Sequence, residues 1–225
     1  TSDLVASDDD PLEPMNRAIF SFNEAVDDTI LEPVAKGYRY VTPDPIEDSI
    51  TNFFNNLGEI NTIVNSALQL KLDKTISSSS RFVINSSVGV LGLFDVASAL
   101  GIERHRENFG QTLGHYGISS GPYLVLPFLG PSSFRDAPGF YVDVLIEKDI
   151  SPIHTELHHE ERQAIQATNV IDTRANLLKA TKILDTAAKD KYIFLRESYL
   201  QRRAKLVTDG KNVEDFEIDV LEINY

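Results

Sequence analysis

Asn108–Asp136, NFGQTLGHYGISSGPYLVLPFLGPSSFRD, decides how the rest of the chain is read. It holds five of the chain's twelve glycines and three of its ten prolines. Gly110, Gly114, Gly117, Gly121 and Gly130 make any long helix here entropically costly. Pro122, Pro127 and Pro131 fix φ and cannot donate to a strand ladder. Yet Tyr123-Leu124-Val125-Leu126 and Phe128-Leu129 are strongly apolar. Long irregular connections are usually functional or disordered, and apolar content argues against disorder. The segment is therefore expected to be buried, or to face an apolar medium.

The totals narrow the rest. A chain of 225 residues forms one large domain or two small ones, and 42% hydrophobic with 24% charged residues is ordinary for a folded protein. Cysteine is absent, which excludes disulfides, thiolate metal sites and cysteine nucleophiles together. The formal net charge of −13 carries no basic stripe for nucleic acid and no electrostatic attraction to anionic lipid. No run reaches the length of a membrane-spanning helix, so membrane contact is expected through apolar faces lying in one leaflet or through an anchor. Thr1–Asp9 shows no secretory leader, and the reading expects a flexible acidic lead that tethers the chain to something N-terminal.

In chain order, Asp10-Pro11-Leu12-Glu13 punctuates a helix start, with Asp10 as N-cap. Met15, Ile19, Phe22, Val26 and Ile30 then follow a helical stripe that Pro33 ends or bends. Asp44-Pro45 opens a second helix whose stripe is Ile46, Ile50, Phe53, Phe54 and Leu57, beside Asn52, Asn55 and Asn56. That stripe is either a core face or the apolar side of an interfacial helix. Helical spacing continues from Ile60 to Leu72. Asp73 is expected to cap a helix over 74–85, and Asp95 a short one through Leu100. Tyr141–Ile146 suits either a strand or a helix. Helices over 164–188 and from Asp190 read as an αα-hairpin stopped by Asp209-Gly210. The acidic tail over 209–225 is expected to be a poorly ordered end, with an edge strand or docking peptide as the alternatives. The pattern predicts an all-α fold, one domain over 10–208 and no sheet.

Catalytic constellations are weak. No G-x-S-x-G elbow occurs, and Ser86-Ser87 is the nearest approach to one. His154 and His158 lie four apart with Glu161 near, but no third ligand is indicated, so a solvated face is the better reading. Gly89 and Gly92 do not make a P-loop. His115 reads as a structural histidine. No cofactor and no metal are expected.

Several segments, taken together, resemble the MlaA (VacJ) lipoprotein family of Gram-negative bacteria. Asp10-Pro11-Leu12-Glu13-Pro14-Met15-Asn16-Arg17 is similar to the family's D-P-x-E-x-x-N-R opening. Asn52-Phe53 through Leu57, Asn65 with Leu68-Gln69, Arg81-Phe82 with Asn85, and Gly92-Leu93-Phe94-Asp95-Val96-Ala97 follow in the family's order. The strongest likeness is Phe109-Gly110-x-Thr112-Leu113-Gly114-x-x-Gly117, then Gly121-Pro122-Tyr123, Leu126-Pro127, Gly130 and Arg135-Asp136. Arg174-Ala175-x-Leu177-Leu178, Asp190-x-Tyr192 and Arg196-x-x-Tyr199-x-Gln201-Arg202 complete it.

The resemblance implies a non-enzymatic lipid transporter. It would be a ring- or doughnut-shaped disc of amphipathic helices with a central channel, tethered by an acylated cysteine in the periplasmic leaflet of the outer membrane. The family's partners would be phospholipids removed from the outer leaflet, a soluble periplasmic carrier (MlaC-like) and a trimeric porin. The alternative is a structural, porin-associated envelope protein without lipid transport. Within the family picture, Gly121, Tyr123, Leu124, Val125, Leu126, Pro127, Phe128, Leu129 and Gly130 form a Gly/Pro-rich gating hairpin with Gly121 and Gly130 as hinges. Ile46, Ile50, Asn52, Phe53, Phe54 and Leu57 are assigned to the membrane-embedded ring.

Overall fold

The computed structural model describes residues 10–150 and 157–210. The expected leader, nearly all of the expected tail, and His154 lie outside these residues. The elements are α1 (Glu13–Val26), α2 (Glu32–Val41), α3 (Asp44–Leu68), α4 (Leu72–Ser87), α5 (Val96–Ala99) and α6 (Phe109–His115). Strands β1 (Tyr123–Leu126) and β2 (Gly130–Ser133) follow, then α7 (Asp136–Ile150), α8 (His159–Ala187) and α9 (Lys191–Val207).

Local chemistry sets most boundaries. Asp95 caps α5 by accepting the Ser98 N–H at 3.2 Å, and Asp190 caps α9 by accepting the Ile193 N–H at 3.1 Å. Asp209 (φ 52°) and Gly210 (φ 74°) wind left-handed, and the Gly210 N–H reaches back to the Lys205 carbonyl at 2.9 Å to stop α9. Pro33 cannot donate to the carbonyl one turn back, and its ring crowds that turn. The chain answers with a π-helical turn over Asp27–Leu31 between α1 and α2, in which the Glu32 N–H bonds the Asp27 carbonyl. Three expected caps fall elsewhere. Asp10 turns inward, Asp44 is already the first residue of α3, and Asp73 sits in the first turn of α4, where its charge favours the helix dipole.

Packing closes a circuit. α2 lies on α8, α8 on α3, and α3 on α4, α6 and α7. α7 meets β2, β2 pairs with β1, β1 packs on α1, and α1 returns to α2 through the π-turn. This ordering gives the ring-like all-α architecture. It also corrects two expectations. The Gly/Pro-rich stretch is partly regular: β1 and β2 form a two-stranded antiparallel hairpin with Tyr123 opposite Ser133 and Leu126 opposite Gly130. Pro131 is tolerated because it needs no ladder N–H opposite Val125. The αα-hairpin does not form. Ala188 and Asp190 are extended, so α9 leaves α8 for α6 and β2.

The interior is where this protein departs from a water-soluble one. Only seven hydrophobic residues among those described are buried, against twenty-three polar or charged ones. Met15, Phe22 and Ile30 of the first stripe face outward, as do Leu72, Ile76 and Val83 of α4. Core faces in water should show the reverse. Buried side chains hydrogen-bond to each other instead, which is the arrangement that holds helices together when the surrounding solvent is hydrocarbon. The small apolar core, Tyr123, Val125 and Tyr192 with Ile19, Phe20, Tyr199 and Leu200 against it, lies beneath the hairpin.

Candidate functional site

Two asparagines on α1 hold the hairpin. They are seven residues apart and therefore on one helix face. Asn16, fully buried, donates Nδ2–H to the Tyr123 carbonyl at 3.0 Å and accepts the Val125 N–H on Oδ1 at 2.9 Å. Asn23 donates to the Leu126 carbonyl at 3.0 Å and accepts the Phe128 N–H at 2.8 Å. Each amide offers one donor and one acceptor, as a neighbouring strand would. Together they cover the outer edge of β1, which would otherwise leave buried backbone groups unpaired. Asn16 was legible as part of the opening motif, but its bonds to β1 were not. Asn23 was missed altogether; the signal was a pair of amides at an i, i+7 spacing inside an apolar helix.

The hairpin residues divide along the strand. Tyr123 and Val125 point inward to the aromatic cluster, where Tyr123 meets Tyr192 and Tyr199 edge-on at 6.0 and 5.9 Å. Burial pushes the Tyr123 phenol up to about 12. Tyr192 in turn donates to Asp10, so the first motif of the chain anchors under the hairpin. Leu124 and Leu126 are half-buried. Pro127, Phe128 and Leu129 form the outward tip, with Phe128 70% exposed and at φ 64°. The Phe128 ring leans edge-on against Phe22 at 5.3 Å. Gly121 and Gly130 both adopt positive φ, 65° and 80°, which strains any other residue. Gly121 precedes β1, while Gly130 lies at the tip end of β2.

Behind the hairpin is a cavity of about 190 Å³. Leu126, Leu129 and Pro131 of the hairpin and Phe140 of α7 give it an apolar side. Asn108, Asp136, Asp143 and Arg203 give it a polar one. Asp136 accepts from Arg135 at 2.9 Å, Arg203 at 2.7 Å and the Tyr199 hydroxyl at 2.5 Å. Burial alone would raise this carboxyl, but those donors outweigh it and hold it down at about 2. Asp143 accepts the Phe109 N–H at 3.1 Å and Asn65 Nδ2–H at 2.9 Å, and burial pushes it upward despite them. Close approach of α6 and α7 makes this floor possible: a Cβ on Gly139 would stand 2.6 Å from the Gly110 nitrogen. From Asn65 a buried chain of hydrogen bonds runs through Thr112, Gln69 and Glu107 to Lys74.

The proposed ring residues are not all on the outside. Ile46 is exposed at 52%, while Ile50, Asn52, Phe53, Phe54 and Leu57 are half-buried. Phe53 and Phe54 stack edge-on at 5.4 Å, and Asn52 donates to the Leu93 carbonyl at 3.4 Å. Phe54 and Leu57 line a second cavity of about 140 Å³ between α3, α7 and α8. A larger outward apolar group is the loop after α4. Val88, Val90, Leu91 and Phe94 all point away from the protein, and Val90 and Leu91 take positive φ to do so. Arg81 fixes that loop from behind. Fully buried, it bonds Glu59 at 2.8 Å, both Asp95 oxygens at 2.9 and 3.0 Å, and the Ile102 carbonyl at 2.7 Å.

Other sequence candidates have structural roles. Glu161 accepts the His158 backbone N–H at 2.9 Å and so caps α8. Ser86 accepts Asn56 Nδ2–H at 2.9 Å, and His115 stacks edge-on with Tyr116. No cluster able to hold a metal occurs among the described residues.

Comparison with known proteins agrees with this architecture. The family description MlaA lipoprotein matches residues 8–206. The Escherichia coli (strain K12) protein named intermembrane phospholipid transport system lipoprotein MlaA is 35% identical, over 90% of this chain and 80% of its own length. Its Haemophilus influenzae namesake is 34% identical over 95% and 85%, and an uncharacterised protein of Rickettsia typhi is 38% identical over 90% and 80%. A solved structure from work on the structural basis for maintenance of bacterial outer membrane lipid asymmetry superposes with a TM-score of 0.75. That match has 36% identity and covers 88% of this chain and 99% of the other. The chain belongs to the MlaA lipoprotein family.

Proposed function

We propose that this protein is a phospholipid transporter of the outer membrane. It takes mislocalised phospholipids from the outer leaflet and passes them toward a soluble periplasmic carrier. The observation that carries this reading is the pattern of burial: a hydrogen-bonded polar interior and many large apolar side chains turned outward, with no helix among the described residues long and apolar enough to cross a membrane. Such a body is stable within one leaflet, where lipid tails cover Leu91, Phe94 and Ile46. Each methylene left in water costs about 0.8 kcal/mol, so a lipid leaving the leaflet needs an apolar wall for its tails and a polar path for its headgroup. The cavity behind the hairpin offers both.

The hairpin is the gate in this account. Its tip is held by Asn23 and Phe22 on one side of α1, and its base by Asn16 and the tyrosine cluster. Breaking the tip contacts frees Phe128 and Leu129 without disturbing Tyr123 and Val125. Gly121 and Gly130 supply backbone freedom at the two ends. Ile46, Ile50, Asn52, Phe53, Phe54 and Leu57 belong to the lipid-facing and channel-side parts of α3. An N-terminal acyl anchor, a trimeric porin neighbour and an MlaC-like carrier complete the family role. No cofactor or catalytic step enters this account.

Native mass spectrometry with lipid extraction on detergent-purified protein, beside a porin pull-down, tests the proposal. Phospholipid retained in stoichiometric amounts is expected. Lipid-free protein that still captures porin would make it a structural envelope protein instead, and turnover of lipid by the pure protein would make it an enzyme.

A further inference from the structure

The cavity behind the hairpin contains an unmatched pair. Asp143 is buried, yet it makes no ion pair among the described residues. It accepts from only two groups, Asn65 Nδ2 and the Phe109 N–H, whereas a carboxylate offers about four acceptor sites. Arg203, nine-tenths buried, gives Nη2 to Asp136 and Asn108, but its Nε–H has no partner. Both side chains line the same cavity. The Arg203 charge already acts on Asp143, but neither side chain has its full set of hydrogen-bond partners, which is costly unless something complements them. Asp136, between Arg135, Arg203 and Tyr199, is by contrast fully supplied with donors. The asymmetry is therefore local to Asp143 and Arg203.

We infer that this cavity is a headgroup subsite selective for zwitterionic phospholipids bearing a primary ammonium, with the phosphate toward Arg203 and the ammonium toward Asp143. The inference rests on the transport reading and names its preferred substrate. Volume agrees: the cavity, about 190 Å³, suits a small polar headgroup and not a pair of acyl chains. The chains leave along Leu126, Leu129 and Phe140. An ammonium carrying three methyl groups cannot donate to Asp143, and a glycerol headgroup brings no positive charge. Both should be held less well.

The test is competition. Purified protein is equilibrated with mixed micelles holding equal amounts of phosphatidylethanolamine, phosphatidylcholine and phosphatidylglycerol with identical acyl chains. Bound lipid is then read by native mass spectrometry. The account expects phosphatidylethanolamine enriched about tenfold or more over each competitor, the effect of one charge-assisted hydrogen bond. In Asp143→Asn, its advantage over phosphatidylglycerol should disappear, and an advantage as large as in the wild-type protein would overturn the role given to Asp143. Bound ratios equal to the supplied ratios in the wild-type protein would overturn the subsite yet leave lipid transport standing, and they do not depend on the variant folding. No bound lipid of any kind would overturn the transport reading itself. Soluble phosphoethanolamine displacing lipid at equal concentration would show a site for the free phosphate compound and refute the lipid assignment.

Discussion

The hairpin and the loop after α4 both push apolar residues outward, but they are secured in opposite ways. Behind the loop stands Arg81, saturated by Glu59, Asp95, Ser98 and the Ile102 carbonyl. Behind the hairpin stand neutral asparagine amides, and the outer of the two, Asn23, bonds at the exposed tip. A buried charge network cannot loosen in parts, because each freed charge would be left without compensation. A single amide clamp at a surface turn can open by giving up two ordinary hydrogen bonds to water, with no charge left uncompensated. The first is suited to fixing a membrane-facing wedge, the second to a moving gate.

That contrast can be broken most forcefully at Arg81. Arg81→Met removes the fully buried partner of Glu59 and leaves Arg104 as the cation shared by Glu59 and Asp95, and should cost about 3 kcal/mol, seen as a large fall in thermal midpoint. A midpoint within a few degrees of wild type would mean the cluster is not what secures the loop. Asn16→Leu comes next. It strands the Val125 N–H and Tyr123 carbonyl and should cost about 2–3 kcal/mol, with loss of amide-exchange protection along β1. Retained protection would show that the edge is covered by something else.

Acid should then erode both regions together. Asp95 and Asp136 are each held at about 2 against an ordinary 3.8. A depressed carboxyl contributes stability that is fully present above the unfolded value and is lost as pH falls through the folded one. For Asp136, eight per cent exposed, that contribution is about 2 kcal/mol. Denaturant melts should therefore show stability declining steeply between about pH 4 and 2, where these two carboxyls take up protons. The smallest stability effect belongs to Asn23→Ala, about 1 kcal/mol or less. It should nevertheless raise the rate of lipid transfer, and an unchanged rate would separate the clamp from the gate.

Much of this organisation was legible in the chain. Asp95, Asp190 and Asp209-Gly210 announced their helix ends because capping and left-handed turns are local chemistry. Pro33 announced a bend for the same reason. What could not be read was the direction of the apolar stripes. Periodicity shows that Met15, Phe22 and Ile30 share a face with each other, but not whether water or lipid lies beyond it. The structure turns all three outward. The αα-hairpin failed because adjacency in sequence does not fix packing: extended backbone at Ala188 and Asp190 redirects α9 away from α8. Asp143, Arg203 and Asn23 were not legible as a site, since each sits more than fifty residues from a partner it serves.

The most direct test of gating uses the chain's lack of cysteine. Asn23→Cys combined with Phe128→Cys places one thiol on α1 and one at the hairpin tip, whose parent residues already touch. Transfer of labelled phospholipid from vesicles to a soluble acceptor is measured for the oxidised and reduced forms. The account predicts transfer slowed about tenfold or more by the disulfide and restored by reductant. Equal rates in the two forms, with the disulfide confirmed by mass, would contradict it.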